Sequence, residues 1–205
     1  MSNRFDNRTV STFKKDIKFA TMLEKYFFQG WLKRVEAKNS SVKVDSWKDN
    51  GCGNDGEFIE KGNTTGADYA ISGSVTDWSP RNVKDEPLEI KWVPTAGKFT
   101  LKENDLKAYV KENASILFIY NSVKCGTNLR KPKDYDLDRH IELVESKSEQ
   151  IKWGIMWSDQ VKKFYENAKK NNLFRPINYM GGKSGVVLKQ NEFSQWFNSY
   201  DWKNE

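Results

Sequence analysis

The stretch from Leu88 to Tyr120 constrains the fold more than any other part of the chain. Residues 88–93 form a short apolar-rich run that stops at Pro94, whose missing N–H cannot serve a strand ladder. Thr100-Leu101-Lys102-Glu103 has the spacing of a capping box, a Thr followed by a Glu that can each satisfy an orphan backbone donor. The helix it predicts carries Leu106, Tyr109 and Val110 on one face. Residues 114–120 are then continuously apolar, the pattern of a strand covered on both sides. Strand, helix, strand predicts a parallel pair joined by a helical crossover, and hence an α/β fold.

The flanking segments extend this frame. Phe13, Ile17, Ala20, Leu23, Phe27 and Trp31 recur at steps of three and four, which predicts a helix over 13–34. Ser11 or Thr12 can cap it, and Gly30 weakens its last turns. Residues 42–47 alternate as a strand, 49–56 have turn composition, and Phe58-Ile59 can begin another strand. Residues 68–72 read as a strand ending at Gly73, and 74–87, with two prolines, as a loop or long hairpin connection. Further on, 141–144 and 151–157 read as strands, and Ser158 caps a helix with Val161, Phe164, Tyr165 and Ala168 inside. Residues 181–185 read as a turn, 186–188 as a short strand and 191–200 as a capped helix. No repeat or low-complexity linker divides the chain, so a single domain is expected, with a core over about 13–120 and an elaboration over about 121–205.

Composition excludes several classes. No run approaches the roughly 18 apolar residues of a membrane span, and the N-terminus lacks the apolar region of a secretory signal, so a cytoplasmic protein is expected. Cys52 and Cys125 form no CxxC pair, and with the single His140 they do not make a zinc site; reduced thiols are expected. One histidine also argues against triad hydrolases. The net charge of +6 suits a polyanionic partner.

The chemistry is concentrated in two short runs. Asp68 lies in Gly66-Ala67-Asp68-Tyr69-Ala70-Ile71, and Glu89-Ile90-Lys91 lies in the next predicted strand. Glu89 and Lys91 are two apart, so a strand presents both on one face. Asp68, Glu89 and the carbonyl of Ile90 are a candidate oxygen ligand set for Mg²⁺. Lys91 can then either position an attacking water or accept its proton. Asp55 and Glu57 are alternative acids; Asp105 reads as a helix-surface acid and His140 as structural or exposed.

Asp68 followed by Glu89-Ile90-Lys91, in helix–strand–strand–helix–strand order, resembles the PD-(D/E)xK nuclease superfamily over about residues 13–120. The resemblance implies a restriction-endonuclease-like core: a central mixed β-sheet flanked by helices in α-β-β-β-α-β order. It makes Asp68 and Glu89 metal ligands, Lys91 the catalytic lysine, and Glu24 the further acid often found on the first helix. Ala67 stands where the family motif has proline.

Lys98, Lys102, Arg130, Lys131 and Lys133 are candidate phosphate contacts, Lys102 in the first turn of its predicted helix. Trp153, Trp157, Trp196 and Phe197 can stack bases, although their periodicity favours core packing. Gly181-Gly182-Lys183-Ser184 lacks the upstream glycine of a phosphate loop and reads as a turn. The expectation is a Mg²⁺-dependent DNA endonuclease of restriction, homing or phage type. The alternative is a non-catalytic nucleic-acid-binding protein on the same scaffold. The small size suits a homodimer, because one such site cuts one strand.

Overall fold

The computed structural model describes residues 10–36, 40–51, 66–76, 80–122, 129–130, 132–177 and 182–203. The elements run α1 (Val10–Val35), β1 (Val42–Asp49), β2 (Tyr69–Val75), β3 (Arg81–Val93), β4 (Lys98–Lys102), α2 (Glu103–Glu112), β5 (Ser115–Asn121), α3 (Leu137–Glu145), β6 (Ile151–Met156), α4 (Ser158–Lys170), β7 (Arg175–Ile177), β8 (Lys183–Lys189) and β9 (Tyr200–Asp201). Six strands form one mixed sheet in the order β1-β2-β3-β5-β6-β9. The β3–β5 pair is parallel, as the crossover pattern predicts, and its neighbours on either side are antiparallel. A second, antiparallel sheet has the order β4-β8-β7.

The main sheet separates two apolar layers. Leu117 and Ile119 of β5 pack towards α1, while Ile116, Phe118 and Tyr120 pack towards α2, α4 and β8. Burial on both faces is why β5 is apolar at consecutive positions. α1 contributes Phe19, Leu23, Phe27, Phe28, Trp31, Leu32 and Val35 to its layer. Complete burial of a ring such as Phe27 contributes about 1.5–3 kcal/mol. The buried face is rotated from the expected one: Ala20 is exposed, and the side chain of Phe13 lies outside the described residues. Gly30 does not weaken the helix end but admits a neighbour, since a Cβ there would meet Trp202 at 2.8 Å. Arg34 covers the same indole at 3.8 Å from its ring centroid. Among the described residues, no helix is long and apolar enough to cross a membrane.

Further expectations fail: Ser158 lies inside α4, whose N-cap is Trp157, and residues 183–185 of the expected turn belong to β8. Thr100 is in β4, paired with Val187, and α2 begins at Glu103 with Lys102 as its N-cap and no side-chain cap bond. Residues 141–144 belong to α3, whose N-cap Asp136 accepts from the Arg139 N–H at 3.0 Å. Residues 191–200 hold a 3₁₀ turn (Gln190–Gln195) and β9 in place of an α-helix. Gly73 lies within β2, and β3 begins at Arg81, so most of the expected 74–87 loop is paired strand. Pro87 is tolerated because it precedes Leu88, where pairing with β5 begins. The Phe58-Ile59 strand and the cysteines, Cys52 and Cys125, lie outside the described residues.

Candidate active site

Strand lengths create the site. Tyr69, the first residue of β2, pairs with Leu88, whereas β3 continues to Val93 with β5 alongside. The β2-facing edge of β3 is therefore open from Glu89 onward. Asp68 sits at this corner, and its Oδ2 accepts the Ile90 N–H at 2.9 Å, replacing the missing strand neighbour. The N–H and C=O of one strand residue point to the same edge, so the Ile90 carbonyl faces Asp68 as well. The Asn50 N–H donates to the Asp68 carbonyl at 3.0 Å and the Asn50 amide to the Ala67 carbonyl at 3.3 Å, anchoring this corner to the end of β1.

Alternation along β3 sends Leu88 and Ile90 into the α1 layer and Glu89 and Lys91 to the face carrying α2. Glu89 is buried, at 7 % exposure. Its Oε1 accepts from the Tyr109 hydroxyl at 2.8 Å and also meets the Lys91 ammonium. Lys91 lies 5.7 Å from the centroid of the Tyr109 ring. Glu24 reaches the same place from the middle of α1. It lines a small cleft shared with Asp49 and Asp68, and also a pocket of about 410 Å³ shared with Lys91.

The electrostatics register this crowding. Burial, and then the Asp68 charge, push the Glu24 carboxyl up to about 8. Burial, and then Glu89, push Asp68 up to about 7, against the pull of the Ile90 N–H and Lys91. Burial disfavours the Lys91 ammonium, but Glu89, Tyr109 and Glu24 outweigh it and hold the lysine well above its usual range. Without metal, then, Lys91 is a firm ammonium beside carboxyls that resist ionising together.

The four side chains singled out in the sequence, Glu24, Asp68, Glu89 and Lys91, thus converge. Among the described residues, no ready-made cluster of three or more His, Cys, Asp or Glu side chains stands in metal-binding arrangement. Glu89 is turned onto Lys91 and Tyr109. The oxygen donors Asp68, Glu89 and the Ile90 carbonyl are nevertheless of the kind a hard divalent cation takes, and the raised carboxyls of Glu24 and Asp68 mark an unmet need for positive charge beside them.

Other candidates fall elsewhere. Lys102 caps α2 and pairs with Asp105 at 3.6 Å, so Asp105 is a helix-surface acid as expected. Lys98 and Lys133 are exposed. Arg130 is exposed, lines the larger pocket and donates to the Thr95 hydroxyl at 3.4 Å. Trp153, Trp157 and Phe197 are buried core residues. His140 is buried beside Phe19, with 5.4 Å between ring centroids. Asp55, Glu57, Lys131 and Gly181 lie outside the described residues.

Sequence spacing marks Tyr109 only as part of an apolar helix face, because it does not reveal where a hydroxyl ends. A phenol bonded to a buried carboxylate is worth more than a neutral pair. Tyr109→Phe is expected to retain the fold but to lower its thermal midpoint, because the buried Glu89 carboxyl loses its hydroxyl donor. A thermal melt beside the wild type checks this; an unchanged midpoint would mean the hydroxyl positions nothing.

Comparison of the chain with protein-family models, with curated proteins and with solved structures found no match.

Proposed function

We propose that this chain is a Mg²⁺-dependent DNA endonuclease of the PD-(D/E)xK kind, with a restriction-endonuclease-like core. The observation that carries the reading is the meeting of Glu24, Asp68, Glu89 and Lys91 at the open edge of β3. These residues come from a helix, a strand corner and a strand, and a chance motif has no reason to bring all of them together. Asp68, Glu89 and the Ile90 carbonyl would hold Mg²⁺, which when bound neutralises phosphoryl charge and lowers the pKa of a coordinated water.

The chain's own groups account for the remaining requirements. Lys91 is cationic, so it serves best by binding a non-bridging phosphate oxygen and orienting the water, and not as the proton acceptor. Water oxygen bonds to phosphorus as the bond to the leaving sugar oxygen breaks. The water loses its proton to solvent and the alkoxide gains one. Tyr109 fixes Glu89, and the Ile90 N–H fixes Asp68. The net charge of +6 favours the polyanion overall.

The decisive test is incubation of supercoiled plasmid with purified protein in Mg²⁺ or EDTA, beside Asp68→Asn. Nicking or linearisation that needs both Mg²⁺ and Asp68 supports the reading. DNA binding without cleavage in any divalent metal would make the protein a binding module instead.

Glu24→Gln separates catalysis from stability. Cleavage is expected to fall, because the variant loses an acid from the centre. Metal-free stability should respond in the opposite direction at alkaline pH. Glu24 and Asp68 titrate at about 8 and about 7 in the folded chain, but near 4 when unfolded. Between those limits the folded state binds more protons, so stability falls as pH rises through the window. Thermal midpoints of metal-free Glu24→Gln are expected to fall less between pH 5 and pH 9 than those of the wild type. Parallel declines would show that Glu24 is not part of the crowded set.

A further inference from the structure

The pocket beside the acidic centre offers more apolar wall than phosphodiester hydrolysis requires. It has a volume of about 410 Å³, and Phe19, Ala20, Leu23 and Trp92 line it together with Arg130. It shares Glu24 and Lys91 with the centre, so the two adjoin. Its walls are braced from behind. The Trp92 ring lies 4.4 Å from Phe27, and Phe19 meets Tyr135 edge-on at 6.1 Å. A braced apolar hollow of this size suits a flat ligand that makes a few polar contacts at its rim.

If the phosphate being cut contacts Lys91, a nucleoside bonded to that phosphate lies within reach of the pocket. A paired base cannot enter, because its faces are covered by stacking neighbours and its edge by its partner. An unpaired base offers both faces to Phe19 and Trp92 and its edge to Arg130 or Asp16. We propose that this pocket receives one unpaired nucleobase flanking the scissile phosphodiester. The preferred substrate is then DNA with an extruded or single-stranded nucleotide, in place of continuous duplex. This inference rests on the nuclease reading of the adjoining centre.

The test compares a fully paired duplex, the same duplex with one unpaired nucleotide, and the single strand, each with 2-aminopurine at the probed position. Cleavage is followed in Mg²⁺ and fluorescence in Ca²⁺. Two variants are used: Ala20→Trp, which fills the pocket from an exposed helix position, and Trp92→Leu, which removes one stacking wall. Either one suffices should the other fail to fold. The unpaired substrate is expected to be cut at least about tenfold faster than the paired duplex and to quench 2-aminopurine on binding. Either variant should abolish the preference and the quenching while slow cutting of paired duplex continues. Equal Mg²⁺-dependent rates on all substrates, unchanged in both variants, would overturn the pocket's role and leave the nuclease reading standing. Quenching lost in the variants, with no cleavage by any form, would uphold the base pocket and overturn the nuclease reading. Neither quenching nor cleavage would overturn both.

Discussion

Lys91→Ala is expected to lower Mg²⁺-dependent DNA cleavage at least about 10³-fold while leaving the chain folded. The size follows from position. Lys91 is the cation held against Glu89 at the open edge of β3, and its charge is felt at both Glu24 and Asp68. Its loss would remove the donor proposed for the phosphoryl group and intensify repulsion among the acids. Its side chain is only partly buried, at 31 % exposure, so truncation leaves no sealed cavity and the fold should survive. Gel assays of plasmid nicking against Mg²⁺ concentration, with circular dichroism as the fold control, check both halves. A folded Lys91→Ala protein that cuts at the wild-type rate would show that the centre of catalysis lies elsewhere.

Gly73→Ala carries the largest expected effect on stability. Gly73 sits in β2 next to irregularities in both neighbouring ladders, between Val44 and Ser46 on β1 and between Ile71 and Gly73 on β2. A Cβ at this position would lie 1.9 Å from the carbonyl oxygen of Lys43 and 2.9 Å from its carbonyl carbon. Both are backbone atoms, so no rotamer change relieves the clash and β1 itself must move. Overpacking of this kind costs about 3 kcal/mol or more, which is roughly 6–12 °C in Tm for a chain of this size. Calorimetric melting of the variant provides the measurement; a shift under about 2 °C would mean the β1 backbone gives way freely. Because Asp68 immediately precedes β2, a displaced β2 should also depress cleavage.

How much of this was legible in the sequence depended on whether the signal was local. The parallel β3–β5 pair was legible because Pro94 and the apolar run of β5 mark its ends within one short unit. Glu89 and Lys91 share a face because strand periodicity puts them there, whereas Asp68 lies at the corner before β2, which no periodicity marks. Glu24 came from the resemblance, and the spacing along α1 misplaced the buried face around it: Phe19 and Phe28 are inside and Ala20 outside. The pairing of β4 with β8 has no local signature, since Thr100 meets Val187 across most of the second half of the chain. Thr100 therefore looked like a cap. In α3, Ile141 and Leu143 fit the strand period while Ile141 and Val144 fit the helix period, and over so short a run only the Asp136 cap decides. The hydroxyl of Tyr109 was invisible for the same reason: its partner Glu89 belongs to another element.

The packing of α1 sets a constraint on when the centre can exist. Its apolar face is covered by residues made much later: Trp31 meets Trp153, Phe27 meets Trp202, and the Arg34 guanidinium bonds to the Trp202 carbonyl. During synthesis the helix can first meet β2 and β3, where Phe28 stacks on Tyr69 and Phe27 meets Trp92, but its packing is complete only with these later partners. Glu24 is carried on that helix, so its place among the acids and the lysine is fully fixed only once the far end of the sheet has formed. On the nuclease reading, a nascent chain would therefore hold an incompletely fixed centre while nucleic acid surrounds it.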